Sequence, residues 1–490
     1  MKQHRSITAS LILSALTLEA FALTACGGAP SGTETTPAQS DDTETTAAPE
    51  TDYLDTLEKK DFGGADFVIY AHEAEAFPNL GTGELNGDVL NDALYNREKT
   101  VSDMFNVNII DKGIADRGVL KNDVQKAVLG GEEPWQLIMT SMADGINSLM
   151  PAGMLYDLNS LPTLNLANEW WNQNLRQNLD FSGHVYAATG AISRVYYNTP
   201  IVTVFNQKLT DNYGYGDLYT TVENGEWTVD KFAEYMKAGT EDLDGNGKLD
   251  ADDRFSLLLD EEDGKALFVA AGGRLTETDD KGNYYLDLAS ERNINIIEKL
   301  TGIFADRSNS YYIFSLDADS EKMFIESRAT FCLLSMGNVV SHFRDMRDDY
   351  GIIPLPKLDE NQKGYITYAN PWFAAGTAVP ANCSTPEMTG FVMEALAYVS
   401  YRDLVPAIYN VTLKEKLTRD EKSKTMLDLI YSDIYFDLNS IYDFGGSASQ
   451  LRSAVVGSNK KPFASTWASI KDKSDKALSD IVEAENKIGG

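Results

Sequence analysis

Phe67-Val68-Ile69-Tyr70, a short apolar run after Gly63-Gly64, opens the part of the sequence that decides the fold. Four consecutive bulky residues behind a turn-forming pair read as a buried strand. From Asp88 to about Phe105 the spacing becomes helical, with Leu90, Ala93, Leu94, Val101 and Phe105 on a shared face. Val107-Asn108-Ile109-Ile110 predicts a second strand and Val119 to Leu129 a second helix. Leu137-Ile138-Met139, after Pro134-Trp135, predicts a third strand. Strand and helix alternating in this way predict an α/β fold with a mainly parallel sheet flanked by helices. Such sheets bind ligands beyond the carboxyl ends of their strands, which singles out Tyr70, His72, Thr140, Ser141 and Met142.

Upstream of this region, Lys2 and Arg5 precede a mostly apolar segment, Ile7 to Leu23, interrupted by Glu19 and ending in small residues. That is the layout of a removable export signal, residues 1–25. Leu23-Thr24-Ala25-Cys26 resembles the lipobox of bacterial lipoproteins. The resemblance implies a lipid-modified Cys26 (palmitate among the acyl chains) and a protein anchored to the extracellular face of the cell membrane. The alternative is an ordinary secretory signal whose cysteine is incidental. As an uncleaved span the segment is too short and too interrupted, since a helix needs about 20 apolar residues to cross a bilayer. Ala29 to Asp52 is almost free of bulky apolar residues and cannot offset its own ordering entropy. It predicts a disordered stalk, taken here as residues 26–59, with a reach of about 25 to 30 Å.

The chain carries 74 acidic against 42 basic residues, a net charge of −32. That balance argues against nucleic acid, which requires a basic footprint. Beyond Cys26 only Cys332 and Cys383 remain, either one disulfide or two buried thiols. With His72, His184 and His342 in unrelated segments, no zinc-ligand spacing exists.

Several stretches resemble the extracellular solute-binding proteins of the maltose-binding type. Leu137-Ile138-Met139-Thr140 through Gly153-Met154-Leu155-Tyr156-Asp157-Leu158 is similar to that family's first-lobe strand, helix and exit. Val185-Tyr186-Ala187-Ala188 is similar to its first crossover strand, and Val204-Phe205-Asn206-Gln207-Lys208-Leu209 to the segment that follows. Phe324 to Phe331 resembles its helix-to-strand element, with Ser327 where glycine is usual. Tyr350-Gly351-Ile352-Ile353-Pro354-Leu355-Pro356-Lys357 resembles its Gly-x-x-Pro-x-Pro block. The resemblance covers about residues 60 to 485. It implies a two-lobed periplasmic-binding-protein type II fold whose discontinuous lobes are joined by crossover strands. Lobe one is expected at 60–190 plus 371–420 and lobe two at 191–370 plus 421–490.

Asp242-Leu243-Asp244-Gly245-Asn246-Gly247-Lys248-Leu249-Asp250-Ala251-Asp252-Asp253 matches a calcium loop. Oxygens fall at positions 1, 3, 5, 9 and 12, glycine at 6, and Lys248 at position 7 would offer its carbonyl. The expected ligands are Asp242, Asp244, Asn246, Lys248, Asp250 and Asp253, holding a structural Ca2+. Asp253 has a shorter arm than the usual glutamate, and the segment after it reads as a strand, so the loop is not a sensor hand. The alternative is an Asn/Gly/Asp turn that holds no metal.

A sugar cleft needs aromatic faces beside amide, carboxylate or guanidinium groups. Residues meeting that description are Tyr70, Ser141, Asp144, Trp170, Trp171, Arg194, Tyr196, Tyr197, Asn338, Asn370 and Trp372, with Glu73, Asn172 and Tyr368 nearby in sequence. For each, core packing or plain surface is the competing role. The resemblance implies a monomeric capture protein of an ABC importer that closes around a small polar solute, expected to be a carbohydrate, and presents it to permease subunits. No nucleophile elbow, zinc-protease motif or phosphate loop is found, so no enzymatic activity is expected. A secreted glycan hydrolase is the alternative, because paired carboxylates leave no motif. A surface adhesin is a further one.

Overall fold

The computed structural model describes residues 51–73, 79–313, 318–343, 346–414, 421–457 and 461–489. The expected signal, Cys26 and the stalk up to residue 50 lie outside the described residues. No described helix is long and apolar enough to cross a membrane.

The chain first lays down β1 (Ala65–His72), β2 (Val107–Ile114) and β3 (Leu137–Ser141), with the helices Val89–Phe105 and Arg117–Gly130 between them. Each helix begins where an aspartate accepts backbone N–H groups: Asp88 from Leu90 and Asn91, Asp116 from Val119. The first helix buries Leu90, Leu94, Val101 and Phe105 and ends at Asn106, whose left-handed φ of 50° stops it. After a long irregular stretch come β4 (Ile201–Asn206), β5 (Phe255–Leu259), the hairpin β6 (Thr276–Thr278) and β7 (Tyr284–Leu286), and β8 (Ser310–Tyr312). β9 (Ala329–Ser335) and β10 (Tyr350–Ile353) follow. The chain returns through β11 (Thr367–Tyr368) to β12 (Ala375–Ala378), and β13 (Ile434–Tyr435) comes late, between helices.

Two large sheets result, the centres of two lobes, beside the two-stranded pairs β6-β7 and β11-β13. The first has order β12-β3-β1-β2, with β1 parallel to β2 and β3 and only the returning β12 antiparallel. The second has order β10-β4-β9-β5-β8. In it β5 runs parallel to β8 and β9, whereas β4 is antiparallel to both neighbours, so this sheet is mixed. β3, β4, β5, β9 and β10 are buried along their whole lengths, as strands covered on both faces must be.

Three chain segments pass side by side between the sheets. Pro200 pairs with Ala369, Asn370 N–H donates to Thr199 O at 3.2 Å, and β11 pairs in parallel with β13. Val185–Ala188, expected as a crossover strand, is irregular chain making a single bridge, Ala188 to Thr377. The carboxyl-terminal helices Ser447–Val456 and Phe463–Gly489 pack on lobe two, against Asp263–Ala270 and Glu291–Phe304.

The chain is already folded from Asp52, short of the expected stalk end at residue 59. Tyr53–Thr56 forms a single helical turn capped by Asp52. The Tyr53 hydroxyl donates to Glu394 at 3.0 Å, and its ring lies 4.7 Å from that of Trp170. Cys332 and Cys383 are both unpaired; Cys332 is buried in β9, where burial pushes its thiol up.

Candidate functional site

At the carboxyl end of β3 the backbone turns sharply. Ser141 Oγ accepts the Asp144 N–H at 3.1 Å and donates to Pro371 O at 3.2 Å. Gly145 completes the turn because a Cβ there would sit 2.6 Å from the Thr140 methyl. Met142 N–H donates to Ala374 O and Ala143 N–H to Pro371 O, which stitches this turn to the loop 370–374 entering β12. Within that loop Asn370 Oδ1 accepts the Trp372 N–H at 3.0 Å, and Arg117 Nη1 donates to Trp372 O at 3.0 Å. The backbone of Trp372 is thus held at both ends while its side chain stays out. At 43% exposure it contrasts with Trp135, Trp170, Trp171, Trp227 and Trp467, all buried.

Charge gathers around the residue that holds the Trp372 carbonyl. Asp144 Oδ1 lies 3.5 Å from Lys121 Nζ and Asp144 Oδ2 lies 4.0 Å from Arg117 Nε. Arg117 and Lys121 sit four residues apart at the start of one helix and therefore share a face. Beyond β1, Glu73 accepts N–H groups of Asn79 and Leu80 at 3.0 and 3.1 Å. Burial pushes its carboxyl up to about 7, against the pull of those N–H groups and of the Arg194 guanidinium. The adjacent His72 is held below its ordinary range by burial and by the charge of Arg117. Ser193 Oγ donates to Asn79 Oδ1 at 2.8 Å and ties this corner to the segment that carries Arg194.

The structure therefore brings together Ser141, Asp144, Asn370 and Trp372 at one end of the lobe-one sheet. The Glu73 and Arg194 corner lies beyond β1. Arg117 and Lys121 were missed from sequence; the available signal was two cations spaced four apart in the first turns of the helix after β2.

Other expected ligand residues have partners within the fold. Tyr70 is buried, stacked on Trp135 at 4.4 Å, and donates its hydroxyl to Asp123. Trp170 packs edge-on against Tyr53 and Tyr398, and Trp171 Nε1 donates to Glu394 at 3.3 Å. Tyr196 and Tyr197 are buried near the crossing segments; the Tyr196 hydroxyl accepts from Asn172 Nδ2, and the Tyr197 carbonyl accepts from the Tyr431 hydroxyl. Tyr368, also buried, donates its hydroxyl to Glu262. Asn338, in the helix Met336–His342 that follows β9, donates to Glu321 Oε1 at 2.9 Å, and His342 holds the other oxygen of that carboxylate. The helix carrying Asn338 packs against the short turn Arg194–Asn198, so lobe two meets the first crossing segment there.

In the loop 242–253, carboxylate oxygens of Asp242, Asp244 and Asp253 lie within 4.8 Å of one another. Asp253 is fully buried, accepts N–H groups of Leu243 and Asp250 at 2.8 Å, and forms no ion pair with a cation among the described residues. Asp242 accepts N–H groups of Gly245 and Gly247, which hold its carboxyl below the usual range. The turns at Gly245 and Gly247 need φ of +73° and +80°, the left-handed region that glycine tolerates. Asn246 Oδ1 accepts from Lys248 N–H, and Asp250 Oδ1 from Asp252 N–H, so these two oxygens serve the loop itself. Three converging carboxylates, one of them buried, fit a hard cation that prefers oxygen.

No protein-family profile and no curated protein sequence matches the chain. Solved structures do match its fold. An ABC substrate-binding protein from Listeria monocytogenes, in complex with cycloalternan, aligns over 87% of this chain and 99% of its own at 14% identity and a TM-score of 0.52. A cyclo/maltodextrin-binding protein complexed with maltotetraose aligns over 86% and 97% at 14% identity and a TM-score of 0.53. An ABC transporter solute-binding protein from Thermotoga lettingae, bound with alpha-D-tagatose, aligns over 85% and 100% at 13% identity and a TM-score of 0.52. The chain has the two-lobed α/β fold of maltose-binding-type solute-binding proteins.

Proposed function

We propose that this protein captures a saccharide between its lobes and delivers it to the permease of an ABC-type importer, held outside the cell membrane by a lipid on Cys26. The observation that carries the reading is Trp372. It is an exposed indole two residues after Asn370, which bonds to a crossing segment; Arg117 and Asn370 hold its backbone, and Arg117 also lies 4.0 Å from the Asp144 carboxylate. Such a face suits the apolar side of a pyranose, while the carboxylate, guanidinium and ammonium groups around it suit hydroxyls. The structures that share the fold hold a cyclic oligosaccharide, a linear maltooligosaccharide and a ketose, which supports a carbohydrate ligand. Binding at the crossing segments would favour the closed arrangement of the lobes, because contacts from both are available only there.

The loop 242–253 is proposed to hold a structural calcium ion through Asp242, Asp244 and Asp253. A stabilising role is proposed for it, because the loop 242–253 leads directly into β5 of the second sheet.

Calorimetric titration with linear and cyclic glucooligosaccharides, followed by chromatography of the sugar afterwards, tests the reading. Saturable binding with the sugar recovered intact is expected. Shortened products would indicate a hydrolase instead, and no heat from any saccharide would contradict capture.

A further inference from the structure

Between Asn172 and Asn178 the sequence carries five amide side chains in seven residues, on the short helix Gln173–Asn178 and its cap. Gln173 and the backbone of Asn172 fasten this helix to lobe one. Asn172 N–H donates to Thr189 O at 2.8 Å, and Thr189 Oγ1 donates to Ala375 O of β12 at 2.9 Å. Gln173 Nε2 reaches the carbonyls of Leu166, Asn168 and Trp171 at 3.0, 2.9 and 3.0 Å and so ties the helix to the chain that precedes it.

The asparagine side chains bond elsewhere, to β13. One edge of β13 pairs with β11, where Asp433 O accepts the Thr367 N–H and Tyr435 O the Ala369 N–H. Successive residues of a strand offer their backbone groups to opposite edges, so Ile434 and Phe436 share the other one. That edge is met by asparagines. Asn172 Nδ2 donates to Ile434 O at 3.0 Å, Asn174 Oδ1 accepts the Phe436 N–H at 2.7 Å, and Asn178 Nδ2 donates to Phe436 O. Among the described residues no backbone–backbone hydrogen bond joins the helix to β13. The chain just after β13 is fixed to the β6-β7 hairpin, because buried Asp437 accepts the N–H groups of Leu275 and Thr276 at 3.0 and 3.2 Å. The hairpin in turn grips the end of the helix through a side chain: the Tyr284 hydroxyl donates to Asp180 O at 2.9 Å.

We propose that Asn172, Asn174 and Asn178 are positioning residues of capture: they form the joint between lobe one and the unit of β13 and its hairpin, and they hold the angle at which the lobes meet a solute. A backbone ladder at this edge would fix that angle rigidly. An asparagine has two rotatable side-chain bonds and keeps its hydrogen bond through a small rotation, and a neutral amide supplies donor and acceptor without burying a charge. Breaking the joint spreads the free protein over more arrangements, which lowers the fraction competent to bind and the affinity with it. The consequence for binding rests on the capture reading, whereas the joint itself rests on the hydrogen bonds.

Small-angle scattering of the ligand-free full-length protein, with calorimetric titration of maltotetraose, tests the joint in wild type, Asn174→Ala and Asn174→Asp. Asn174 meets β13 only as an acceptor, so the aspartate keeps that bond and the alanine loses it. The alanine variant is expected to have a larger radius of gyration and roughly tenfold weaker binding, and the aspartate variant to match wild type in both. An alanine variant with the wild-type radius or the wild-type affinity would overturn the proposal, and so would an aspartate variant altered as much as the alanine one. If wild type binds no maltotetraose, capture of this sugar fails and the radii alone decide the joint. Should Asn174→Ala not fold, Asn178→Asp takes its place: its carboxylate cannot donate to Phe436 O, and the same rise in radius is expected.

Discussion

Trp372 and Trp171 both lie near crossing segments in the sequence, yet one faces solvent and the other fills a core. The difference comes from partners distant in the chain. Trp171 has an acceptor in Glu394, and its neighbour Trp170 is covered by Tyr53 and Tyr398, whereas Trp372 is pinned only through its backbone. Sequence could place Trp372, Asn370 and Asp144 near strand ends, and the structure brings the three together beyond the end of β3. Sequence could not separate them from Trp170, Trp171 and Tyr70, because the residues covering those rings were unknown. Trp372→Ala should weaken saccharide affinity roughly tenfold to a hundredfold, about 1.4 to 2.8 kcal/mol, with the unfolding midpoint nearly unchanged, as read by calorimetry and denaturant titration. Glu394→Ala should do the reverse. It strips the acceptor from the Tyr53 hydroxyl, Asn168, Trp171 and the Asn165 N–H. A loss on the order of 3 kcal/mol is expected in urea unfolding, because several buried donors are left unsatisfied. An unchanged midpoint would show that the Tyr53 turn does not depend on this carboxylate.

Elements with strong periodicity were legible. β1, β2, β3 and the helices between them fall within a few residues of their predicted positions, and β5 coincides with the apolar run after Asp253. Elements that exist through a handful of pairings were not. β6 and β7 have three residues each and β11 and β13 two, too few for a period to register. Val185–Ala188 shows the opposite error, an apolar run that reads as a strand but finds a ladder partner at one residue only. The loop 242–253 was legible as a pattern because its glycines and aspartates are dictated by backbone geometry. If it binds calcium, a chelator should lower the melting temperature by several degrees, and added Ca2+ should restore it. Asp242→Asn should abolish that response. Identical transitions in chelator and in calcium would leave the loop as a hydrogen-bonded turn.

On the scale of the whole molecule, the two-lobed fold was accessible because the order of short motifs carries topology even when each motif is unspecific. The mixed character of the second sheet was not accessible, since strand direction depends on how β4 enters from the crossing segment and on β10 joining its edge. The seating of the carboxyl-terminal helices on lobe two was equally hidden, because no local pattern records which lobe a terminal helix will meet. Capture by closure requires that a ligand bind the closed arrangement better than the open or unfolded one, and the stabilisation then follows ligand concentration. Thermal unfolding of the purified protein across a panel of mono- and oligosaccharides, with peptides as the contrast, addresses this most directly. At least one saccharide should raise the transition progressively with concentration, and Trp372→Ala should reduce that rise while peptides leave it unmoved. A folded protein whose transition no saccharide shifts, at concentrations up to the millimolar range, would contradict the account.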